Sequence, residues 1–578
     1  MPPPPQPSDP LDTTARAGLA GLTASMSPQA AMLAWADWAS HLAVSPGKQS
    51  ALAELALAQA SELAGYLRSC LTPGTGPAHA CVEPPVGDRR FASAEWRHWP
   101  FNLLHQAFLL GERWWDAATR GVAGVEPRHE NVVAFAARQW LDMLSPGNQL
   151  ATNPVALRRT FEEGGANLVR GQAHLDDDLR RTLAGLPPAG AEAFAIGRDV
   201  AATPGKVVLR NRLVELIQYA PATTKVHPEP VLIVPAWIMK YYILDLSPHN
   251  SLVKYLVDRG HTVFCLSWKN PGVAERDLGM DDYLDLGVRA ALDAIGAIVP
   301  GRRVHATGYC LGGTLLAIAA AAMARDGDDR LASLSLFTAQ TDFSEPGELA
   351  LFISESQVSL LEAQMRHRGY LDAGQMAGAF QLLRAYDLMW SRAVNEYLLG
   401  ERRPMNDLMA WNADATRMPA RMHAQYLRRL FLDDDLSEGR YPVDGRPVSL
   451  GSIELPVFCV GTESDHVAPW RSVHKLHYLS PAEITFVLTS GGHNAGIVSE
   501  PGRPNRRYRL GTRPARGAYV PPEEWIARTP ARAGSWWPAW ADWLGARSGA
   551  PAAPPRMGVP AKGGRTLGDA PGRYVLEK

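Results

Sequence analysis

Two patterns of apolar positions divide this chain. From about residue 200 onward the apolar residues come in short unbroken blocks, whereas before it they recur at helical spacing. Val231-Leu232-Ile233-Val234-Pro235 is apolar on both faces, and so is Thr262 to Trp268. Val304 to Thr307, Leu331 to Thr338, Pro456 to Val460 and Ile484 to Thr489 repeat the pattern. Such blocks suit parallel strands covered by helices on both sides. Helical patterns separate most of them, which predicts an α/β domain with a mostly parallel sheet.

Upstream, Ala31 to Trp38 and Leu52 to Leu67 carry apolar residues at helical spacing, and further helical stretches cover about 99–117, 129–144 and 155–170. A Gly/Pro-rich loop spans 73–90. Trp96, Trp99, Trp114 and Trp115 are expected as core or interface aromatics. The join Leu186-Pro187-Pro188-Ala189-Gly190 separates a helical N-terminal domain, 28–190, from the sheet domain, 200–578. Residues 1–27 are rich in Pro, Ser and Ala and are expected to be disordered or loosely attached. Between about 343 and 435 the strand rhythm stops in favour of a long helical stretch rich in Met, Trp and Arg. Inserted between two strands, it reads as a lid, since segments above the carboxyl ends of strands frame active sites. The alternative is a helical decoration with no gating role.

Composition narrows the function. With 46% hydrophobic and 20% charged residues and a formal net charge of −1, the chain has neither a nucleic-acid footprint nor a polybasic membrane patch. Its five cysteines, Cys70, Cys81, Cys265, Cys310 and Cys459, are odd in number and widely spaced, which points to a reducing compartment, the cytoplasm, rather than a disulfide framework. Cys265 and Cys459 lie within strand-like runs and read as inert core residues. The start, Met1-Pro2-Pro3-Pro4-Pro5, does not resemble a signal peptide, and no apolar run reaches the length of a spanning helix. Association with a hydrophobic surface stays open.

The candidate chemistry sits at Gly308-Tyr309-Cys310-Leu311-Gly312-Gly313. A strand precedes it and an apolar, Ala-rich helix follows from Leu315. Strand, Gly-flanked turn and helix form a nucleophile elbow of the α/β-hydrolase type, with Cys310 where G-x-S-x-G places serine. A thiol at a helix N-terminus is favoured as thiolate, which points to covalent acyl transfer. The competing reading is a buried structural cysteine. In the chain order of this fold an acid and then a histidine follow the nucleophile. Asp465 lies past one strand, in Gly461-Thr462-Glu463-Ser464-Asp465-His466, and His493 past the next, in Ser490-Gly491-Gly492-His493-Asn494. Asp342 and Glu463 are rivals for the acid, and His466 is a poor partner for the adjacent Asp465. The oxyanion hole is expected from the backbone N–H of Leu311 and a second N–H near Trp237 or Ile238. Arg503, Arg506, Arg507, Arg509, Arg513 and Arg516 are candidates for CoA phosphates, although a solvated charged loop is the favoured reading. No metal and no cofactor is called for.

These residues resemble the lipase-like box of polyhydroxyalkanoate synthases, extended by Thr314-Leu315-Leu316. The resemblance continues in Val234 to Leu246, Gly260-His261-Thr262-Val263-Phe264, Ser267-Trp268-Lys269-Asn270-Pro271, Trp411-Asn412-Ala413-Asp414, Gly461 to His466, Ser535-Trp536-Trp537-Pro538 and Ala570-Pro571-Gly572-Arg573-Tyr574. In the helical half, Thr152-Asn153-Pro154 and Gly164 to Leu168 are similar too. The resemblance implies polymerisation of (R)-3-hydroxyacyl-CoA, a substrate rather than a cofactor, into a growing polyester with release of CoA. It implies Cys310 as the acyl-carrying nucleophile, His493 as general base and Asp465 as the residue that orients it or assists in activating the substrate hydroxyl. It also implies a homodimer on cytoplasmic polymer granules, of the single-subunit type that favours short side chains such as 3-hydroxybutyryl. Met239, Ala236 and Asn494 depart from the family's usual Asn, Pro and aliphatic residue. A thioesterase or other acyltransferase on the same fold, or a non-catalytic granule scaffold, are the alternatives.

Overall fold

The computed structural model describes residues 9–23, 25–71, 80–85, 87–376, 378, 389–559 and 565–578. The first eight residues of the Pro-rich start, part of the Gly/Pro-rich loop and part of the expected lid lie outside the described residues. The chain divides into two compact units: Met1–Ser25, Gly190–Ala377 and Met405–Lys578 in one, Met26–Ala189 and Gly378–Pro404 in the other.

The start of the chain corrects one expectation. Within the stretch expected to be disordered, residues Pro10–Leu22 form helix α1. The Asp9 side chain accepts the Leu11 N–H at 2.7 Å, and Pro10 takes the first helical position, where its missing N–H costs nothing. The helix lies against Glu355–Arg368 of the same unit, with Arg16 donating to Ser359 Oγ at 3.0 Å and Ser25 Oγ to Gln364 at 3.1 Å.

The helical unit contains α2 (Pro28–Ala43), α3 (Pro46–Leu71), α4 (Phe101–Thr119), α5 (Pro127–Leu144), α6 (Pro154–Glu162) and α7 (Ala166–Leu183). Trp96 is buried against Phe91, and Trp114 Nε1 donates to the Leu52 carbonyl at 3.1 Å, whereas Trp99 is exposed. The buried Arg90 guanidinium is held by Asp88 at 2.7 Å and Glu112 at 2.6 Å. Residues 378–404, expected within the lid, belong to this unit instead. The reason is specific pairing: Asn167 Nδ2 donates to the Leu398 carbonyl at 2.7 Å, and Arg402 bonds Asp177 at 3.1 Å and Asp178 at 2.8 Å. No helix among the described residues is long and apolar enough to cross a membrane.

The other unit is built on one ten-stranded sheet. Its strands are β1 (Gly205–Arg210), β2 (Val214–Tyr219), β3 (Val231–Val234), β4 (Val263–Trp268), β5 (Val304–Tyr309), β6 (Leu331–Phe337), β7 (Val457–Thr462), β8 (Ile484–Thr489), β9 (Arg507–Arg513) and β10 (Arg532–Ala533). Their order is β1-β2-β4-β3-β5-β6-β7-β8-β9-β10. Strands β3 to β8 pair in parallel, and antiparallel pairs extend both edges. Successive residues point to opposite faces: Leu232 and Val234 join the core formed with α8 (Ala290–Ile298) and α9 (Leu311–Asp326), while Val231 and Ile233 join the core of Trp536, Trp537 and Trp540. Register aligns the strand ends, with Val234 opposite Gly308, Tyr309 and Val460 both opposite Phe337, and Thr462 opposite Thr489. One rim therefore carries the loops after β3, β5, β7 and β8.

Candidate active site

Cys310 occupies the turn between β5 and α9 at φ 53° and ψ −126°, a left-handed conformation that a non-glycine residue rarely adopts. Its N–H donates to the Phe337 carbonyl at 2.9 Å, which pins the turn to the end of β6. The flanking glycines are demanded by close approach. A Cβ at Gly308 would stand 2.3 Å from Gly313 Cα, and one at Gly312 would stand 2.1 Å from the Val234 carbonyl oxygen. Without side chains there, the first turn of α9 seats directly on the end of β3. That brings the loop beginning at Pro235 beside Cys310, at the positive end of a helix of sixteen residues.

The loops after β7 and β8 supply the partners. His493 Nδ1 stands 2.8 Å from Asp465 Oδ2, so the other ring nitrogen faces away from the carboxylate. Cys310 acts electrostatically on the same imidazole. Asp465 also accepts Thr462 Oγ1 at 3.1 Å and the N–H groups of Val467 at 2.9 Å and Ala468 at 2.8 Å. Burial alone would raise its carboxyl, but the His493 imidazole and these donors outweigh it and hold the group below its ordinary value. For His493, burial opposes the charged form, yet the charges of Asp465 and Cys310 push it well above the ordinary histidine value. The arrangement can therefore take up and return a proton at Cys310.

The loop after β3 is held from outside by the segment Trp411–Thr416. Thr416 N–H donates to the Ile238 carbonyl at 3.1 Å, its hydroxyl to the Trp237 carbonyl, and Met239 forms an antiparallel bridge with Ala415. Trp411 Nε1 adds a bond to the Lys240 carbonyl at 2.8 Å, and Trp268 Nε1 fixes the Pro235 carbonyl at 2.8 Å. With these carbonyls turned to Thr416, the N–H groups on the opposite sides of the same peptide planes point away from it. Leu311 opens α9, so its N–H has no intrahelical partner. Helix α10 (Ala420–Tyr426), within the expected lid, carries the buried Tyr426, whose hydroxyl burial, and then the charge of Cys310, push well above the ordinary value.

Residues 87–256 match the model described as "Poly-beta-hydroxybutyrate polymerase (PhaC) N-terminus", residues 6–48 "Poly-beta-hydroxybutyrate polymerase N terminal", and residues 229–500 "alpha/beta hydrolase fold". The chain is 42% identical over 502 residues to the poly(3-hydroxyalkanoate) polymerase of Methylorubrum extorquens, covering 86% of this chain and 82% of the relative. It is 39% identical to the polymerase subunit PhaC of Rhizobium meliloti (86% and 81% covered) and 37% identical to that of Cupriavidus necator (86% and 84%). The chain belongs to the poly(3-hydroxyalkanoate) polymerases. It is an acyltransferase-type enzyme of polyhydroxyalkanoate synthesis on an α/β-hydrolase fold.

Within the polymerase the rival carboxylates are engaged elsewhere. Asp342 accepts Lys475 Nζ at 3.2 Å, the Tyr478 hydroxyl at 2.9 Å and the Ser344 N–H at 3.0 Å. Glu463 pairs with Arg507 at 2.7 Å. The six arginines are also committed to internal partners rather than gathered into one cradle. Arg503 donates to the Val498 carbonyl at 2.8 Å, Arg513 to the carbonyls of Ser480 and Ala482 at 2.7 and 2.8 Å, Arg509 to Thr529, and Arg516 to Glu454 at 3.1 Å. Cys265 and Cys459 are buried, and burial drives both thiols far up, Cys459 to about 12. The bracket of Trp411–Thr416 on the β3 loop was not legible in the sequence, because a backbone bridge between segments so far apart leaves no local pattern.

Proposed function

We propose that the polymerase works through a cysteine thioester, with (R)-3-hydroxyacyl-CoA of short chain length as its substrate. The Cys310 sulfur attacks the thioester carbonyl of the substrate while its proton passes to His493. The carbon–sulfur bond to CoA then breaks, and the departing sulfur takes that proton. In the second half-reaction the 3-hydroxyl oxygen of an acyl unit attacks the Cys310 thioester and His493 receives the hydroxyl proton. An ester bond forms and the Cys310 thiol is regenerated. Asp465 holds the imidazole in the tautomer this requires. The N–H of Leu311, with that of Trp237 or Ile238, would stabilise both tetrahedral oxyanions.

The observation that carries this reading is the convergence of Cys310, His493 and Asp465 on one rim, with His493 bonded to Asp465 at 2.8 Å and raised by the charge of Cys310 as well. Cysteine suits the task, since a thioester keeps the acyl group as activated as it was on CoA, whereas a serine ester would lose that driving force before chain transfer. The family resemblance supports the finer points: a homodimer at the surface of cytoplasmic polymer granules. The test is incubation of the purified protein with (R)-3-hydroxybutyryl-CoA, following CoA release and insoluble polymer, with Cys310→Ala alongside. Polymer and CoA from the wild type and neither from the variant is the expected result. CoA release that survives in Cys310→Ala overturns the nucleophile, and turnover confined to longer acyl chains overturns the short-chain preference.

A further inference from the structure

Tyr309 and Asn494 are the immediate chain neighbours of the two groups that must exchange a proton, Tyr309 before Cys310 and Asn494 after His493. The Tyr309 hydroxyl donates to Asn494 Oδ1 at 2.5 Å. The phenol is buried on the last residue of β5, and its ring lies 5.7 Å from the His493 ring. Asn494 Nδ2 donates in turn to Asn412 Oδ1 at 3.3 Å, in the Trp411–Thr416 segment that brackets the β3 loop. The Asn494 carbonyl accepts the N–H groups of Ile497 at 3.1 Å and Val498 at 3.0 Å, so its backbone is held as well as its amide.

From this geometry we infer that Asn494 is a positioning residue: a strut from the strand beneath the nucleophile to the loop of the base, fixing the Cys310–His493 separation during acyl transfer. The inference rests on the assignment of Cys310 and His493 proposed above. The strut is built where it can act on that separation and little else. One end is a rigid β5 residue one position before Cys310, and the other is one position after His493. An aliphatic residue at 494 offers the Tyr309 hydroxyl no acceptor. A buried donor left unpaired drives local rearrangement, and here the rearranging segment is the loop that holds the base. Small displacements of a proton-transfer partner translate into large rate losses. The link to Asn412 joins the base loop and the β3 loop through one short segment, so both are held to the same frame.

The test is a cycle of Tyr309→Phe, Asn494→Leu and the double variant, read as the pre-steady-state burst of CoA release, with melting temperature measured alongside and Cys310→Ala as control. Each single variant is expected to slow acylation about tenfold while KM for the acyl-CoA stays within about twofold. The double variant should be no slower than the slower single one, because Tyr309→Phe removes the donor that Asn494→Leu strands. Tyr309→Phe removes a single oxygen, so it decides the matter alone where Asn494→Leu does not fold. A wild-type burst rate in Tyr309→Phe overturns the strut, as does a double variant slowed by the product of the two single effects, or a lowered melting temperature with acylation unchanged. A burst that persists in Cys310→Ala overturns the underlying site assignment instead, and is distinguishable from all of these.

Discussion

Arg506 Nη2 donates to the Ala495 carbonyl at 2.7 Å, two residues beyond His493, while its Nη1 donates to the Ser490 carbonyl at 3.1 Å, three residues before it. One guanidinium thus closes the loop that carries His493, and the approach is tight enough that a Cβ at Gly491 would stand 2.7 Å from Nη1. Burial holds this guanidinium below the ordinary arginine value, in keeping with a structural tie rather than a phosphate-binding surface cation. Arg507, its neighbour, points to Glu463 and is exposed. Replacing Arg506 by Met should therefore lower kcat for polymer formation about tenfold or more with little change in KM for acyl-CoA. Arg507→Glu should leave kcat near the wild-type value. A rise in KM in both variants at low salt, with kcat retained, would instead return these arginines to a role in binding CoA phosphates.

Asp465→Asn keeps the size of the side chain and removes the anion that sustains the imidazolium. The loss should appear in the acylation step as a slowing of roughly 10³-fold or more, since the histidine tautomer is no longer dictated. The His493 titration should move down toward the ordinary imidazole range, which NMR of the ring protons would read directly. The corresponding changes at the rival carboxylates, Asp342→Asn and Glu463→Gln, should leave the His493 titration where it is. An unmoved His493 titration in Asp465→Asn would break the pairing on which the mechanism rests.

The parallel strands, and the residues proposed as a triad, were legible because each is written locally. Strands apolar on both faces announce a covered sheet, and Cys310, Asp465 and His493 each fall just past such a strand. Elsewhere the signal pointed the wrong way or was spread too thinly. The proline count upstream of Ser27 suggested disorder, yet Pro10 after Asp9 is a helix start, and α1 follows. Residues 507–513 read as a charged loop because arginine recurs there, but alternation of Arg with Tyr and Leu suits a half-exposed strand towards the sheet's margin, which is β9. The hairpin of β1 and β2 lies before the first strand read from the pattern. The stretch 389–404 shares its helical composition with the rest of the expected lid, and only the partners it meets on α7, such as Asp177 and Asp178, assign it to the helical unit.

Five histidines other than His493 should govern acid stability. Burial depresses His261 and His477 to about 3 and His305, His423 and His474 to about 4. His261 stacks on His227 at 4.5 Å and His474 on His477 at 4.4 Å, so protonating either member of a pair places charge against its neighbour. The unfolded chain, with ordinary histidines, binds more protons between pH 6.5 and 4 than the native state does. Stability is therefore full above about pH 6.5 and falls as pH drops through that window, by up to ~1.4 kcal/mol per pH unit for each such histidine. Urea unfolding at pH 7.5, 6 and 5 should show a falling midpoint. His477→Phe, which leaves an aromatic neighbour for His474, should flatten the decline. A midpoint independent of pH over this range would mean that these rings are hydrated.

The segment Arg573–Glu577 should stiffen the β3 loop together with the Trp411–Thr416 bracket. Glu215, wholly buried on β2, accepts the N–H groups of Arg573 at 2.8 Å and Tyr574 at 3.0 Å, and the Tyr574 hydroxyl donates to the Asn211 carbonyl at 2.5 Å. Lys240, buried just past Trp237 and Ile238, donates from Nζ to the carbonyls of Glu577 at 2.5 Å and Tyr574 at 3.3 Å, and its own carbonyl takes the Trp411 indole. The β3 loop is therefore gripped at Lys240 by both its backbone and its side chain. Glu215→Ala leaves two backbone donors and Arg210 without their acceptor, and should cost about 3 kcal/mol. Lys240→Met keeps the stem's volume and loses only the ammonium bonds. Its expected signature is faster amide exchange at Trp237 to Lys240 and at Arg573 to Leu576, with a lower acylation rate and unchanged exchange in β5 to β8. Exchange that rises at Arg573 to Leu576 alone, with acylation intact, would show that the segment is fastened to the loop without supporting it.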